Sequence, residues 1–298
     1  MIFATTKLVI ALACVTLAST QSSKRFLSQT RPNDITLHFF GVATTEDTAQ
    51  IIMLDSGAAN VWTGGSFDGQ DNCTITLNVT GNGNSIVNPI MACAGSCSIT
   101  INVPGSNNVF TTPIIKCVDN SVVVLNLEGS SNTQTSTSVV GSENSTIEMS
   151  LLGSFSTLTG TMFIGNDNAA LELNVLGNTE TLTGTTLNGA GTSSVNVNLF
   201  GNTNTLTGTS LQGSGATTAN LSLYGPLNTL VTTTLTSSDF SASEADVYGT
   251  MNALSGLTLT TSANSSATYK MPHDASTDTG RTITTILEQV VSVNFPML

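Results

Sequence analysis

Glycine recurs at positions 57, 81, 105, 129, 153, 177, 201, 225 and 249, a spacing of 24 that holds without slippage. Self-similarity at a fixed period means a repeat architecture, in which each unit buries its apolar face only against its neighbours. Before each glycine runs an alternation of apolar and polar residues: Ile75, Leu77, Val79 before Gly81; Ile99, Ile101, Val103 before Gly105; Leu171, Leu173, Val175 before Gly177. Period two is the signature of a half-buried strand and rules out helical repeats. Further apolar residues follow at fixed offsets, with Leu158, Leu182, Leu206, Leu230 and Leu254 five places after the glycine, and Phe163, Leu187, Leu211, Leu235 and Leu259 ten places after it. A propeller blade needs about 40 residues for its four strands, more than this unit holds. Three short strands per unit make one coil of a parallel β-solenoid, each coil stacked on the next at about 4.8 Å. The predicted fold is therefore all-β, a single parallel β-solenoid of about ten coils and roughly 50 Å in length.

The coils "VPGSNNVF" at 103–110 and "LFGNTNTLTG" at 199–208, with Asn84, Asn108, Asn132, Asn204, Asn228 and Asn252 in one phase, resemble those of right-handed parallel β-helix proteins. The resemblance spans roughly residues 51–260. It implies a right-handed solenoid with an asparagine ladder at a turn, and a fold rather than an activity.

An open solenoid exposes strand edges that need covering. "DITLHFFG" at 34–41 fits the strand pattern out of phase and reads as an N-terminal cap over 34–50, with coils over 51–280. In 281–298, Ile283, Ile286, Leu287 and Val290 stand at helical spacing and suggest a helical cap, whereas Val291, Val293 and Phe295 would extend the solenoid into a last coil. Lys7, the apolar run from Leu8 to Leu17 (which includes Cys14) and the small residues Ala18, Ser19 and Thr20 match the three parts of a secretory signal peptide over 1–20, followed by a flexible segment at 21–33. No stretch is long and apolar enough to be a membrane-spanning helix, so the expectation is a secreted, extracellular or cell-surface protein.

With 9% charged residues, a net charge of -12 and only Lys116 as a basic residue between Arg31 and Lys270, the chain offers no cationic patch for nucleic acid. Four cysteines remain after the leader. Cys73 and Cys97 share one phase and Cys93 and Cys117 another, which predicts two disulfides between adjacent coils, with a metal site as the alternative. Asn-x-Ser/Thr sequons stand at Asn72, Asn78, Asn144, Asn220 and Asn264 as candidate glycosylation sites.

Asp119, Glu143 and Asp167 share one phase on three successive coils. Carboxylates stacked at that spacing suit a Ca²⁺ ion as cofactor or a glycosidase pair, while the Asp-Asn and Glu-Asn dipeptides in which they occur are ordinary turn chemistry. Carbohydrate-active β-helix enzymes, by the resemblance, carry Arg, Lys or His beside their acids. Here the body has Lys116, and His38 and His273 fall in the two end regions.

The most regular outward feature is threonine. Four, six and eight places after the glycines stand Thr133, Thr135, Thr137; Thr157, Thr159, Thr161; Thr181, Thr183, Thr185; Thr205, Thr207, Thr209; and Thr229, Val231, Thr233. Taken as one outward face, they form a three-column grid with Leu158, Gly160 and their equivalents inward. Threonine also favours strands and stacks well in ladders, so the grid has a purely structural explanation. It resembles the Thr-x-Thr faces of ice-binding β-solenoids, which implies contact with a crystal surface. The sequence thus points to a secreted, non-catalytic extracellular structural, cell-surface or adhesive solenoid, with ice binding second and a carbohydrate-active enzyme third. Its expected partners are an extracellular surface, matrix polysaccharide or ice, with end-to-end self-association also open.

Overall fold

The computed structural model describes residues 74–270 continuously except 97 and 263, and outside that span 8–12, 24–30, 35–39, 42–45, 50–56, 61–64, 66–70, 277–279, 282–286 and 290–294. Every described regular element is a strand, arranged in three parallel sheets of 12, 11 and 12 strands. Each coil contributes one strand to each sheet. In the coil that begins at Ser194, Ser194–Phe200 belongs to a wide sheet, Thr205–Thr207 to a narrow one and Ser210–Gly213 to a middle one. The register is 24 residues at every pairing from Thr74 to Ser262, so Leu171 sits over Ile147 and under Val195, and Leu182 between Leu158 and Leu206. About eight coils repeat in this way.

The alternation read from the sequence is the burial pattern observed. In one coil Leu171, Leu173, Val175, Leu182 and Leu187 are all buried, and their equivalents above and below form one continuous core. Each such side chain removed from water contributes about 1.5–3 kcal/mol. The glycine column has a steric cause. A Cβ on Gly105, Gly129, Gly153, Gly177, Gly201, Gly225 or Gly249 would lie between 1.6 and 2.3 Å from the carbonyl oxygen of the glycine one coil earlier. Backbone occupies that space, which fixes the 24-residue phase.

The predicted asparagine ladder lines the same corner on the inside. Asn84 N–H donates to Asn108 Oδ1 at 2.9 Å, Asn108 N–H to Asn132 Oδ1 at 2.9 Å, Asn204 N–H to Asn228 Oδ1 at 2.9 Å and Asn228 N–H to Asn252 Oδ1 at 2.8 Å. Backbone donors at a turn too tight for strand pairing are thereby satisfied in the interior. A second ladder, of serine and threonine, lines the corner between the middle and wide sheets, where Ser193 Oγ donates to Ala190 O at 2.5 Å and Thr217 Oγ1 to Ser214 O at 2.6 Å.

Both end regions carry strands, as the sequence pattern at 34–41 predicts for the first. Ile35–Phe39 is a strand of the narrow sheet, between Leu8–Leu12 and Val61–Thr63, and Lys24–Thr30 is a strand of the wide sheet paired with Gln50–Ser56. At the other end, of the two readings of 281–298, the last coil is the one observed and the helix is not: Thr282–Ile286 and Val290–Asn294 are strands that pair with Thr258–Ser262 and Ser266–Lys270. Thr282, Ile283, Thr284, Thr285 and Ile286 are all β-branched, and an open parallel edge offers them backbone partners that an isolated helix lacks. His273 lies outside the described residues.

Candidate functional site

Two columns of the threonine grid are on the surface. Thr133 and Thr135, Thr157 and Thr159, Thr181 and Thr183, Thr205 and Thr207, and Thr229 are stacked in register down the narrow sheet, with Val231 as the single exception. Thr183 is exposed and the others are half-buried by their neighbours in the columns. Hydroxyl and methyl groups thus repeat at about 4.8 Å between coils and about 6.7 Å along each strand.

The third column does not belong to this face. Thr137, Thr161, Thr185, Thr209 and Thr233 are buried, with exposures of 0–1%. The cause is the residue before each of them. Gly160, Gly184 and Gly208 have φ near +62 to +63°, and Ser136 and Thr232 occupy the same left-handed region at 55° and 50°. A left-handed residue bends the chain from the narrow to the middle sheet and breaks the alternation, so the next side chain turns inward. Gly160, expected inward, is itself exposed at the bend, and its N–H donates to Thr183 O at 2.8 Å.

From Ser85 to Ser255 the outward positions of the narrow sheet carry no ionisable side chain. The wide sheet is different. Its outward positions hold an amide ladder, with Asn102 Nδ2 donating to Asn78 Oδ1 at 2.8 Å and Asn198 Nδ2 to Asn174 Oδ1 at 3.0 Å, and the carboxylates Glu148, Glu172, Glu244 and Asp246. Lys270 pairs with Glu244 and stands 3.6 Å from Asp246 Oδ1. The hydrogen bond to Glu244 raises the Lys270 pKa, burial followed by the Glu244 charge raises that of Asp246, and the Asp246 charge raises that of Tyr248. Spacings of 24 and 26 residues between Lys270 and these acids are the signal that reading Lys116 alone overlooked. Along the edge of this sheet Phe200, Tyr224 and Tyr248 stack face to face, with ring centroids 4.8 and 5.1 Å apart.

Asp119, Glu143 and Asp167 do stack at one corner, each followed by an asparagine that is also left-handed, which makes the corner a tight two-residue turn. A hydrogen bond and the charge of Asp119 raise the Glu143 pKa, with a smaller contribution from Asp167. Among the described residues no group of three acidic, histidine or cysteine side chains is placed to hold a metal ion. The three acids follow one another down the column instead of converging on a common point.

Cys93 and Cys117 are brought into register on adjacent strands and buried, as their phase predicts, but as thiols and without a disulfide. Side chains stacked on parallel strands point the same way and keep a Cβ separation near the strand spacing of about 4.8 Å, beyond the roughly 3.5–4.5 Å that a disulfide spans. Cys73 and Cys97 lie outside the described residues, as does Asn72. Of the other sequon asparagines, Asn144 and Asn264 are exposed at left-handed turn positions, while Asn78 and Asn220 lie in the amide ladder of the wide sheet.

No protein-family profile, curated protein or solved structure matches the chain.

Proposed function

We propose that the protein is a secreted, non-catalytic surface-contact solenoid, and that the two-column threonine face of the narrow sheet lies against an extended, ordered, uncharged surface, of which a matrix polysaccharide is the principal case. The observation that carries this reading is the uninterrupted register of nine threonines over five coils on a face without charge. Covering hydroxyls that regain hydrogen bonds on the partner costs far less than covering charges. The backbone beneath is held by a coil on either side, so little order remains to be lost on contact. Five stacked rows, identical but for Val231, also act together, so weak contacts accumulate. The leader-like N-terminus and the scarcity of charge are consistent with an extracellular setting. The same regular grid supports ice as a second surface.

Co-sedimentation with insoluble cellulose, chitin and β-glucan tests the reading, with ice-growth inhibition measured in parallel. The reading expects wild type to pellet with at least one polysaccharide and Thr183→Lys to remain in the supernatant. Wild type that pellets with none of them overturns the polysaccharide case, and an absence of any effect on ice growth overturns the second.

A further inference from the structure

The buried amide ladder has one member of different chemistry. In the asparagine coils Oδ1 accepts an N–H from the previous coil, and at Asn132, Asn228 and Asn252 Nδ2 also donates to the glycine carbonyl three residues back, at 3.3, 2.9 and 3.2 Å. Position 156 is serine and position 180 is glutamate. Glu180 is 1% exposed. Its Oε2 accepts Ser156 N–H at 2.6 Å, and its own N–H donates to Asn204 Oδ1 at 2.9 Å, so it performs the acceptor half of the asparagine role. Oε1 is buried without a hydrogen-bond partner. Oε1 and Gly153 O border the same space beside Gly177, where a Cβ would lie 2.6 Å from the one and 1.6 Å from the other. An ionised carboxylate can only accept, so Oε1 would be left unpaired in the interior. A proton on Oε1 supplies the missing donor.

We propose that Glu180 is a proton-operated latch, holding the corner between the Thr157–Thr159 and Thr181–Thr183 coils as a neutral acid that donates from Oε1 to a glycine carbonyl, and loosening that corner when the proton leaves for solvent. Burial is the main cause that pushes its pKa up from 4.5 to about 7, and the hydrogen bonds from Ser156 partly offset it. No neighbouring charge contributes. On the strands packed around this corner the ionisable groups are Glu148 and Glu172, both on the outward side of the wide sheet, and Glu128 at the strand end two coils away. The strands Thr157–Thr159, Thr181–Thr183 and Thr205–Thr207 carry none. The folded-state pKa lies above the unfolded value, so this contribution to stability is fully present below about pH 4.5 and is lost as pH rises through about 7. Thr181 is the next residue in the chain, which puts the latch at the root of the central threonine row. That consequence for surface contact rests on the function proposed above, whereas the latch does not.

Thermal unfolding of the full chain at pH 5 and pH 8 tests the latch, with Glu180→Gln and Glu180→Asn as variants that donate at any pH. The wild-type melting temperature should fall by about 5 °C more than that of Glu180→Gln between the two pH values. Glu180→Asn, which restores the ladder residue, should show the same reduced dependence, and a ¹³C titration of the Glu180 carboxyl should have its midpoint near 7. Equal pH dependence in wild type and whichever variant folds, or a carboxyl midpoint near 4.5, would overturn the latch. Both readouts are independent of any ligand, so a failure of surface binding leaves them interpretable.

Discussion

The narrow and wide sheets are built on the same coils and share one core, yet their outward faces have little in common. Below the surface both present apolar residues in register, Leu158, Leu182 and Leu206 under one and Leu173, Val197 and Leu221 under the other. Above it, one is uncharged threonine in two columns and the other is amide ladders, carboxylates, a lysine and a strip of stacked aromatics. Packing dictates the inward residues, because a stacked coil accepts only what fits over its predecessor. Outward ladders stack well, but packing does not exclude other residues there, as the variety of the wide sheet shows. Uniformity on one face and variety on the other is therefore where a function separate from the fold has room to act.

The largest effect is expected where the two sheets meet. Gly177→Ala places a methyl group where Gly153 O already stands and should destabilise the protein by more than about 3 kcal/mol in denaturant unfolding. Gly184→Ala, at a bend where a Cβ would meet only ordinary contacts at 3.9 Å but φ is +63°, should cost only about 1–2 kcal/mol. Equal costs would mean that the glycine phase is not set by contact between coils. Next comes the core under the threonine face, where Leu182→Ala should cost about 2–5 kcal/mol. Smaller again is the difference between the two amide ladders. Asn204→Ala leaves the buried Glu180 N–H unsatisfied and should cost about 1–3 kcal/mol, whereas Asn198→Ala, on the outer face of the wide sheet, should stay below about 1 kcal/mol. The smallest effect belongs to the acidic corner. The Glu143 pKa is raised by Asp119, so this pair favours the folded state more at low pH than at neutral pH, and Asp119→Asn should flatten that slope in a pH series of unfolding curves.

Much of this was legible because a solenoid writes its core into the sequence at a fixed period. Ile75, Leu77 and Val79 announce a strand, and Gly81 announces the corner that follows it. The asparagine ladder was legible for the same reason. Legibility ended where the chain bends between strands. The inward turn of Thr161, Thr185 and Thr209 depends on a single left-handed residue, and the glycines at 160, 184 and 208 were the available sign that alternation should not be carried across them. Register alone likewise placed Cys93 beside Cys117 but left out the parallel direction of their side chains. At 281–298 a short apolar run fits helix and strand alike, and the open sheet edge decided between them. Glu180 occupies an asparagine phase, and its meaning depends on burial, which the sequence does not state.

The claim that fold and contact face are separable is tested most directly by a matched pair of lysines, Thr183→Lys on the narrow sheet and Asn198→Lys on the wide sheet, compared in sedimentation with the insoluble polysaccharide that binds wild type. Both outward substitutions should leave the unfolding free energy within about 1 kcal/mol of wild type. Thr183→Lys should weaken binding at least about tenfold, roughly 1.4 kcal/mol, while Asn198→Lys binds as wild type does. Binding unchanged in Thr183→Lys, or lost equally in both variants, would contradict the assignment of the threonine face.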